Sequence, residues 1–259
     1  MSSLCQPGGL TKTHLLGQRV TCLQSENGFR VAIDALLLAA AVPARPGQIT
    51  MDVGCGTGAA ALCLAARIRG VHVTGLEIQP DLAELARRSA ALSGLSARVD
   101  VVSGDLLDPP SDVTAGTFDH VFANPPYLKP GTGQAPANQA RALATIEGDA
   151  SLENWLEFCL ARTTPSGTVT IVHRHDRMAD ILEYLGDCHG RVAVMSLIPK
   201  QGAAPKRVLV QVTKGQEGPI SHLQGLILHE DDRRYSNKAE GILRHAQPLQ
   251  MWDPGYVKE

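Results

Sequence analysis

Apolar residues along this chain follow two alternating patterns, short continuous runs and longer segments with helical spacing. Short apolar runs are typical of strands buried on both faces, whereas recurrence every three or four residues indicates helices. The runs predict strands at 49–53, 71–76, 98–102, 118–123, 168–173, 192–198 and 207–213. The helical segments are 34–42, 59–68, 80–93, 152–162 and 177–185.

This alternation predicts an α/β fold with a mostly parallel, seven-stranded sheet and helices on both faces. The last two strands have no helix between them, so we expect one antiparallel strand at the edge of the sheet. We divide the chain into a main domain, 1–215, and a partly flexible C-terminal extension, 216–259. Weaker patterns in the extension indicate an extra strand at 223–229 and a short helix at 237–246.

The N-terminal part is polar and rich in turn residues for its first thirty positions. Asp34 is expected to cap the helix that follows. The start of the chain does not indicate a signal peptide, and the apolar stretch at 36–42 is too short to span a bilayer. We therefore expect no membrane association.

Composition narrows the class of protein without identifying it. A length of 259 residues suits one large domain, and a net charge of −2 means that any nucleic-acid surface must be local. The six cysteines are scattered without a Cys-x-x-Cys pair. We expect reduced thiols, a cytoplasmic location and no bound metal.

The sequence Asn124-Pro125-Pro126-Tyr127 directly follows the predicted strand at 118–123. The asparagine side-chain oxygen and a carbonyl beside the first proline can both accept hydrogen bonds from one planar NH2 group. The aromatic ring can stack on the plane that carries this group, and the prolines hold the backbone in place. The motif predicts chemistry on an amino nitrogen of adenine, cytosine, guanine or glutamine. A rigid turn with a packed tyrosine is the alternative.

A glycine-rich loop follows the first predicted strand and precedes a helix, with glycines at Gly54, Gly56 and Gly58. These glycines permit a tight turn and a close approach of a ligand to helix-end amides, although such a loop alone is often an ordinary turn. Glu77 ends the second strand, where a carboxylate can accept from ribose hydroxyls. Asp105 follows the third strand and can bond an adenine amino group. Together these groups line the edge where parallel sheets bind ligands.

In this order, the glycine loop, Glu77, Gly104-Asp105 and Asn124-Pro-Pro-Tyr resemble class I S-adenosylmethionine-dependent methyltransferases of the amino-group branch. More specifically, the chain is similar to bacterial tRNA(Val) adenine-N6 methyltransferases over about residues 20–215. This closer resemblance is carried by 27–39, Glu77-Ile-Gln-Pro80, Pro136-Ala-Asn138, Arg141, 199–202 and 204–207. It implies a Rossmann-like fold, S-adenosylmethionine as cofactor, and methyl transfer to the exocyclic amino group of an adenosine in a tRNA anticodon loop.

The resemblance also implies roles for individual residues. Asn124, Pro125, Pro126 and Tyr127 are the catalytic group, with Tyr127 stacking on the base. The implied cofactor-binding residues are Asp34, Asp52, Gly54, Cys55, Gly56, Gly58, Glu77, Ile78, Asp105, Leu106 and Asn124. The N-terminal segment, 1–46, is expected to cover the cofactor site.

Five positions bear further on these roles. Asp34 is expected near the methionyl end of the cofactor, whereas Asp52 can reach a positively charged amino-acid group through the loop or a water. The family usually has a glycine where this chain has Ala32, and often an asparagine where Ser89 and Ser93 appear.

RNA binding requires local positive charge, for which the candidates are Lys129, Arg141, Lys200, Lys206 and Arg207. Taken singly, each is more often a solvated surface charge. The three residues from Lys200 to Arg207 are the best group, because Gly202 and Pro205 indicate a loop. Weaker candidates in the tail are Arg233, Arg234, Lys238 and Arg244.

Three alternatives remain open. One is a protein glutamine-N5 methyltransferase that modifies a release factor, although its separate helical N-terminal domain has no counterpart in the short start of this chain. Another is an rRNA guanine-N2 methyltransferase. The last is a non-catalytic relative that binds RNA, against which the glycine loop and Asn124 argue. The sequence leaves the oligomeric state undetermined.

Overall fold

The structure, a computed structural model, describes residues 9–26, 30–113, 117–127, 148–186 and 190–252. The strands are β1 Leu10–Leu15, β2 Val20–Ser25, β3 Ile49–Val53, β4 His72–Glu77, β5 Val99–Ser103, β6 Phe118–Ala123, β7 Thr163–Arg174, β8 Arg191–Lys200, β9 Arg207–Thr213 and β10 Ser221–His229. The helices are α1 Ile33–Ala41, α2 Ala59–Arg67, α3 Pro80–Leu92, α4 Leu152–Arg162, α5 Met178–Leu185 and α6 Asn237–His245.

Strands β3 to β10 form one eight-stranded sheet in the order β10-β8-β9-β7-β6-β3-β4-β5. Only β9 is antiparallel to its neighbours, which are β7 and β8. The predicted α/β fold with a mostly parallel sheet is confirmed. The sheet has eight strands instead of seven, and the antiparallel strand is internal instead of at the edge. Both differences arise because β9 returns between β7 and β8, and β10 then pairs in parallel with the outer side of β8.

Both faces of the sheet are covered by apolar layers. Successive residues of a strand point to opposite faces, so Val121 and Phe122 of β6 belong to different core clusters. One cluster contains residues of α1, α2, α6 and the β1–β2 hairpin, and the other contains residues of α4 and α5. The carboxyl edge of the sheet lies between these two layers.

The N-terminal polar segment contains an antiparallel hairpin of β1 and β2 that the sequence did not predict. Strand β1 reads Leu-Thr-Lys-Thr-His-Leu and is mostly exposed, so it lacks an apolar run. Strand β2 docks on α3, because Leu23 N donates to Ser89 Oγ at 2.9 Å and Thr21 N donates to Ser93 Oγ at 3.0 Å. The two serines that depart from the family pattern therefore hold the hairpin.

The C-terminal extension packs into the same core as far as the structure describes it. Its predicted strand and helix are present as β10 and α6, and Ile242 of α6 is buried. Leu249 N also donates to Ala40 O at the end of α1, at 2.9 Å. At the other end of α1, the N-cap is Ala32. Asp34 therefore lies in the first turn of the helix, and the prediction that it caps the helix was wrong.

Candidate active site

The predicted site residues converge at the carboxyl edge of the sheet. Strands β3, β4, β5, β6 and β7 are parallel and end along this edge. Antiparallel β9 begins there, because Arg207 pairs with Arg174, the last residue of β7. The edge therefore collects the loop after β3, the residues after β4, β5 and β6, and the start of β9.

The glycine-rich loop turns between β3 and α2 with three left-handed residues. The φ angles of Gly54, Gly56 and Gly58 are 67°, 57° and 83°. A Cβ at Gly54 would lie 2.4 Å from the ring of Trp155 on α4, so only glycine fits beneath this ring. A Cβ at Gly56 would meet no atom within 4 Å. The loop backbone at Gly56 is therefore open to a ligand.

Glu77 ends β4 beside this loop and is 4% exposed. Its Oε2 accepts from Gly56 N at 2.8 Å, and its Oε1 accepts from Gln79 N at 2.9 Å. Burial raises the pKa of Glu77, and these backbone hydrogen bonds act in the opposite direction. Ile78, the next residue, is 58% exposed, which leaves an apolar side chain beside the carboxylate.

Two further carboxylates differ in their surroundings. Asp52 lies behind the loop, 2% exposed, and its Oδ2 accepts from Ala61 N in the first turn of α2 at 3.0 Å. Burial raises the pKa of Asp52 to about 8. Asp105 is half-buried, and its Oδ1 accepts from Leu107 N at 2.9 Å. Asp105 can thus present its other oxygen to a ligand, whereas Asp52 acts through the loop.

The remaining cofactor candidates contribute through packing or backbone. Cys55 is buried with its sulfur against β4, where a Cβ at Gly75 would lie 2.7 Å away. Burial raises the pKa of Cys55 well above its ordinary range, so it stays a thiol. Leu106 is half-buried and packs on the core cluster of α4 and α5. Open space beside the loop backbone, buried carboxylates and an exposed Ile78 suit a nucleoside with a charged amino-acid tail, so these residues fit S-adenosylmethionine.

The motif Asn124-Pro125-Pro126-Tyr127 continues directly from β6 at this edge of the sheet. Tyr127 Oη lies 2.5 Å from Asn124 Oδ1 and 3.0 Å from Asp34 Oδ2. His173, fully buried at the end of β7, has Nε2 3.2 Å from Pro126 O, and its ring meets that of Tyr127 edge-on at 5.4 Å. Burial and the neighbouring Asp34 carboxylate raise the pKa of Tyr127, which keeps it a neutral phenol.

Arg207 reaches the same cluster from β9. Its Nε lies 3.0 Å from Asp34 Oδ2, and its guanidinium carbon lies 4.5 Å from the centre of the Tyr127 ring. Lys200 and Lys206, the other members of the predicted RNA-binding group, are exposed at the two ends of the β8–β9 loop. Lys129 and Arg141 lie outside the described residues.

Two residues of the cluster were not predicted from the sequence. In the sequence, Trp155 is an ordinary apolar position of α4, and His173 is the last position of the predicted strand at 168–173. Their proximity to the glycine loop and to Tyr127 depends on packing between elements distant in sequence, which no local pattern records.

Metals and membranes can be considered only for the described ranges. There, no group of three histidine, cysteine or acidic residues is arranged to hold a metal ion. Within the same ranges, no helix has the length and hydropathy needed to cross a membrane.

Comparisons with known proteins agree with this geometry. Residues 50–145 match a family model described as a methyltransferase domain. A crystal structure of a predicted O-methyltransferase from Agrobacterium tumefaciens superposes with a TM-score of 0.70 and 26% identity, covering 84% of this chain and 98% of that chain. Methyl transfer, the Rossmann-like fold and the predicted dependence on S-adenosylmethionine are thereby supported.

Curated relatives identify the branch. A tRNA1(Val) (adenine(37)-N6)-methyltransferase of Porphyromonas gingivalis is 33% identical over 195 residues, which cover 72% of this chain and 75% of the relative. An enzyme with the same name from Aeromonas salmonicida is 29% identical and covers 89% of this chain and 91% of its own length. The resemblance stated from the sequence is confirmed: the chain belongs to the tRNA1(Val) (adenine(37)-N6)-methyltransferase family.

Proposed function

We propose that this protein transfers a methyl group from S-adenosylmethionine to N6 of adenosine 37 in the anticodon loop of tRNA1(Val). The observation that carries the proposal is the position of Asn124-Pro-Pro-Tyr directly after β6, beside the glycine loop after β3 and Glu77 at the end of β4. Family membership supplies the substrate class. The tRNA substrate also supports a cytoplasmic location.

The cofactor half of the site consists of the glycine loop, Glu77, Ile78 and Asp105, and it binds the cofactor and orients the methyl group. S-adenosylmethionine, when bound, supplies a methyl group on a sulfonium, which is already a good leaving group. Glu77 accepts hydrogen bonds from ribose hydroxyls, and Asp105 accepts one from the adenine amino group. Ile78 gives apolar contact to a ring, and the open space beside Gly56 allows close approach of the cofactor to the loop backbone.

The substrate half activates a poor nucleophile. The N6 lone pair of adenine is delocalised into the ring. The two N–H groups of N6 each donate one hydrogen bond, one to Asn124 Oδ1 and the other to the Pro125 carbonyl oxygen. This arrangement favours a more tetrahedral N6. No strong base is needed, because orientation and stabilisation of developing charge supply most of the rate. Attack breaks the sulfur–methyl bond, and the methylated, positively charged nitrogen is acidic enough to lose one proton to water.

The substrate base must leave its stack to reach this site, and an anticodon-loop adenosine satisfies this condition. The guanidinium of Arg207 covers one face of the Tyr127 ring, so the base stacks on the opposite face. The exposed Lys200 and Lys206 on the β8–β9 loop lie at the same edge of the sheet and contact the phosphate backbone.

The variant Asn124→Ala tests the proposal directly on unmodified tRNA1(Val) transcript with labelled S-adenosylmethionine. We expect kcat to fall by at least about 100-fold, because one of two amino-group acceptors is lost. Cofactor affinity, measured by calorimetry, should change far less than kcat, because the glycine loop, Glu77 and Asp105 are unaltered. Asn237→Ala, at an exposed position at the start of α6, is the matched control with wild-type transfer. Near-normal turnover of Asn124→Ala would contradict the assignment.

A deletion strain tests the substrate class. Mass spectrometry of nucleosides from its tRNA1(Val) should show the loss of N6-methyladenosine, and the plasmid-borne wild-type gene should restore it. An unchanged nucleoside profile would exclude this tRNA as the substrate and would leave a release-factor glutamine or an rRNA guanine as the acceptor to be tested.

A further inference from the structure

Three side chains from distant parts of the chain form one contact cluster beside Asn124. Asp34 comes from the first turn of α1, Tyr127 follows β6, and Arg207 begins β9. The same Asp34 oxygen, Oδ2, lies 3.0 Å from Tyr127 Oη and 3.0 Å from Arg207 Nε. With the guanidinium over the Tyr127 ring at 4.5 Å, every member contacts the other two.

The guanidinium of Arg207 is committed to this cluster. Its Nε donates to Asp34, its guanidinium carbon lies over the tyrosine ring, and one terminal nitrogen donates to Lys206 O at 3.2 Å. Only 30% of the Arg207 side chain is exposed, whereas the neighbouring Lys206 is exposed. A lysine ammonium cannot reproduce the ion pair and the planar stacking together. The contacts of Arg207 within the active site therefore account for an arginine at this position, without a contact to RNA.

The Tyr127 hydroxyl determines how Asn124 is turned. The phenol has one proton and lies within hydrogen-bond distance of both Asp34 Oδ2 and Asn124 Oδ1. A carboxylate is a stronger acceptor than an amide oxygen, so the proton goes to Asp34. When the Asn124 amide is rotated by half a turn, its NH2 group takes the place of Oδ1 beside the phenol and donates to the phenol oxygen. Its carbonyl oxygen is then left to accept from the substrate.

We propose that Arg207 is a positioning residue for methyl transfer, not a ligand of the tRNA backbone. It holds Asp34 and the Tyr127 ring, and the Tyr127 hydroxyl orients the Asn124 amide toward the substrate amino group. This role rests on the proposed function, since it concerns the nitrogen that accepts the methyl group. It also explains why β9, which carries no catalytic group, begins at the active-site edge.

The test compares Arg207→Lys and Arg207→Ala with a matched substitution elsewhere. Arg191→Lys makes the same chemical change in another arginine–aromatic contact, because the Arg191 guanidinium lies 4.1 Å from the ring of Trp252. Arg191 is the first residue of β8 and pairs with Thr213, so it lies at the edge of the sheet opposite the active site. The control therefore reports on lost stability alone.

Steady-state kinetics on tRNA1(Val) distinguish positioning from RNA binding. For Arg207→Lys we expect kcat to fall by about tenfold, and further for Arg207→Ala, since small misplacement of a reacting group is costly. The KM for tRNA should stay within about twofold, and its dependence on salt should be unchanged. Lys206→Ala is expected to show the converse, a raised KM and a lower salt slope with kcat retained. The Arg191→Lys control keeps the wild-type kcat.

The variant Asp34→Asn tests whether the ion pair acts as a unit. Its loss in kcat, combined with that of Arg207→Lys, should be less than additive in the double variant, because each single change already breaks the same contact. Fully additive losses would mean that Arg207 acts separately from Asp34 and would overturn the proposal.

A readout without turnover separates this proposal from the proposed function. In protein labelled with 15N-asparagine, the side-chain NH2 signals of Asn124, identified by their loss in Asn124→Ala, should shift in Arg207→Lys and in Tyr127→Phe but not in Arg191→Lys. Unshifted signals would overturn the positioning role. Wild-type protein that leaves tRNA1(Val) unmethylated would refute the proposed function alone, and the amide signals would still decide the role of Arg207. A raised KM for tRNA with normal kcat in Arg207→Ala would also overturn the positioning role and would show that Arg207 contacts the RNA.

Discussion

The cofactor half and the substrate half of the site are built in different ways. In the cofactor half, the glycine loop, Glu77 and Asp105 follow three strands that are consecutive along the chain. In the substrate half, the ion pair that supports Tyr127 joins Asp34 to Arg207 across 173 positions of sequence. The first half is therefore a local property of the sequence, whereas the second exists only once distant elements have packed.

This difference explains what the sequence could predict. The glycine loop, Glu77 and the motif after β6 each carry their signal within a few residues, and the alternation of strands and helices places them at one edge. From the sequence, Arg207 is a cation in a predicted loop and is assigned to RNA binding. No residue near it in sequence indicates that it contacts Asp34 or Tyr127. The hairpin was missed for a related reason, since β2 is held by Ser89 on α3 and by Ser93 directly after that helix.

The largest effect is expected where the cofactor half depends on one side chain. Glu77→Ala removes a carboxylate that we assign to the ribose hydroxyls, so S-adenosylmethionine should bind about 100-fold more weakly, equivalent to about 2.7 kcal/mol. Calorimetry with the cofactor measures this loss. Glu84→Ala, which removes a surface carboxylate of α3, is the control. If Glu77→Ala binds the cofactor normally, the cofactor half has been assigned incorrectly.

The docking of the hairpin gives the next effect. Ser89→Ala removes the acceptor of Leu23 N from a fully buried position, which should lower the free energy of unfolding by about 1–3 kcal/mol. Urea denaturation measures the change. Ser93→Ala, at a half-buried position, should cost less. Equal losses for the two variants would show that burial of the hydrogen bond does not decide its contribution.

Protonation of Asp52 links the cofactor half to pH. Its folded-state pKa of about 8 lies above the ordinary value of 3.8, so the folded protein holds a proton that the unfolded chain has lost. This contribution to stability is present below the ordinary pKa and is lost as the pH rises through about 8. The free energy of unfolding should therefore fall between about pH 5 and pH 8, and fall less in Asp52→Asn.

Cofactor binding should also release this proton, because a nearby ammonium group favours the charged carboxylate. Calorimetry at neutral pH in buffers of different ionisation enthalpy should detect proton release in the wild-type protein and less in Asp52→Asn. Equal proton release in the two proteins would exclude Asp52 as the group that senses the cofactor.

The smallest effect is expected at the β8–β9 loop, which we assign to binding of the tRNA backbone. The double variant Lys200→Ala/Lys206→Ala should raise the KM for tRNA by a few-fold and lower the salt slope by about one to two, because two phosphate contacts are lost. Arg69→Ala, at an exposed position after α2 on the opposite edge, is the control. An unchanged salt slope would place the tRNA backbone elsewhere.

The position of β9 between β7 and β8 has a consequence for synthesis of the protein. Strand β8 is made before β9 but contacts β7 only through it, so β8 cannot join the sheet until β9 has left the ribosome. The cofactor half contains only strands that are made earlier, because synthesis proceeds from the N-terminus. All residues of the cofactor half are therefore synthesised well before Arg207, so the contact that supports Tyr127 depends on a later part of the chain than the cofactor-binding residues do.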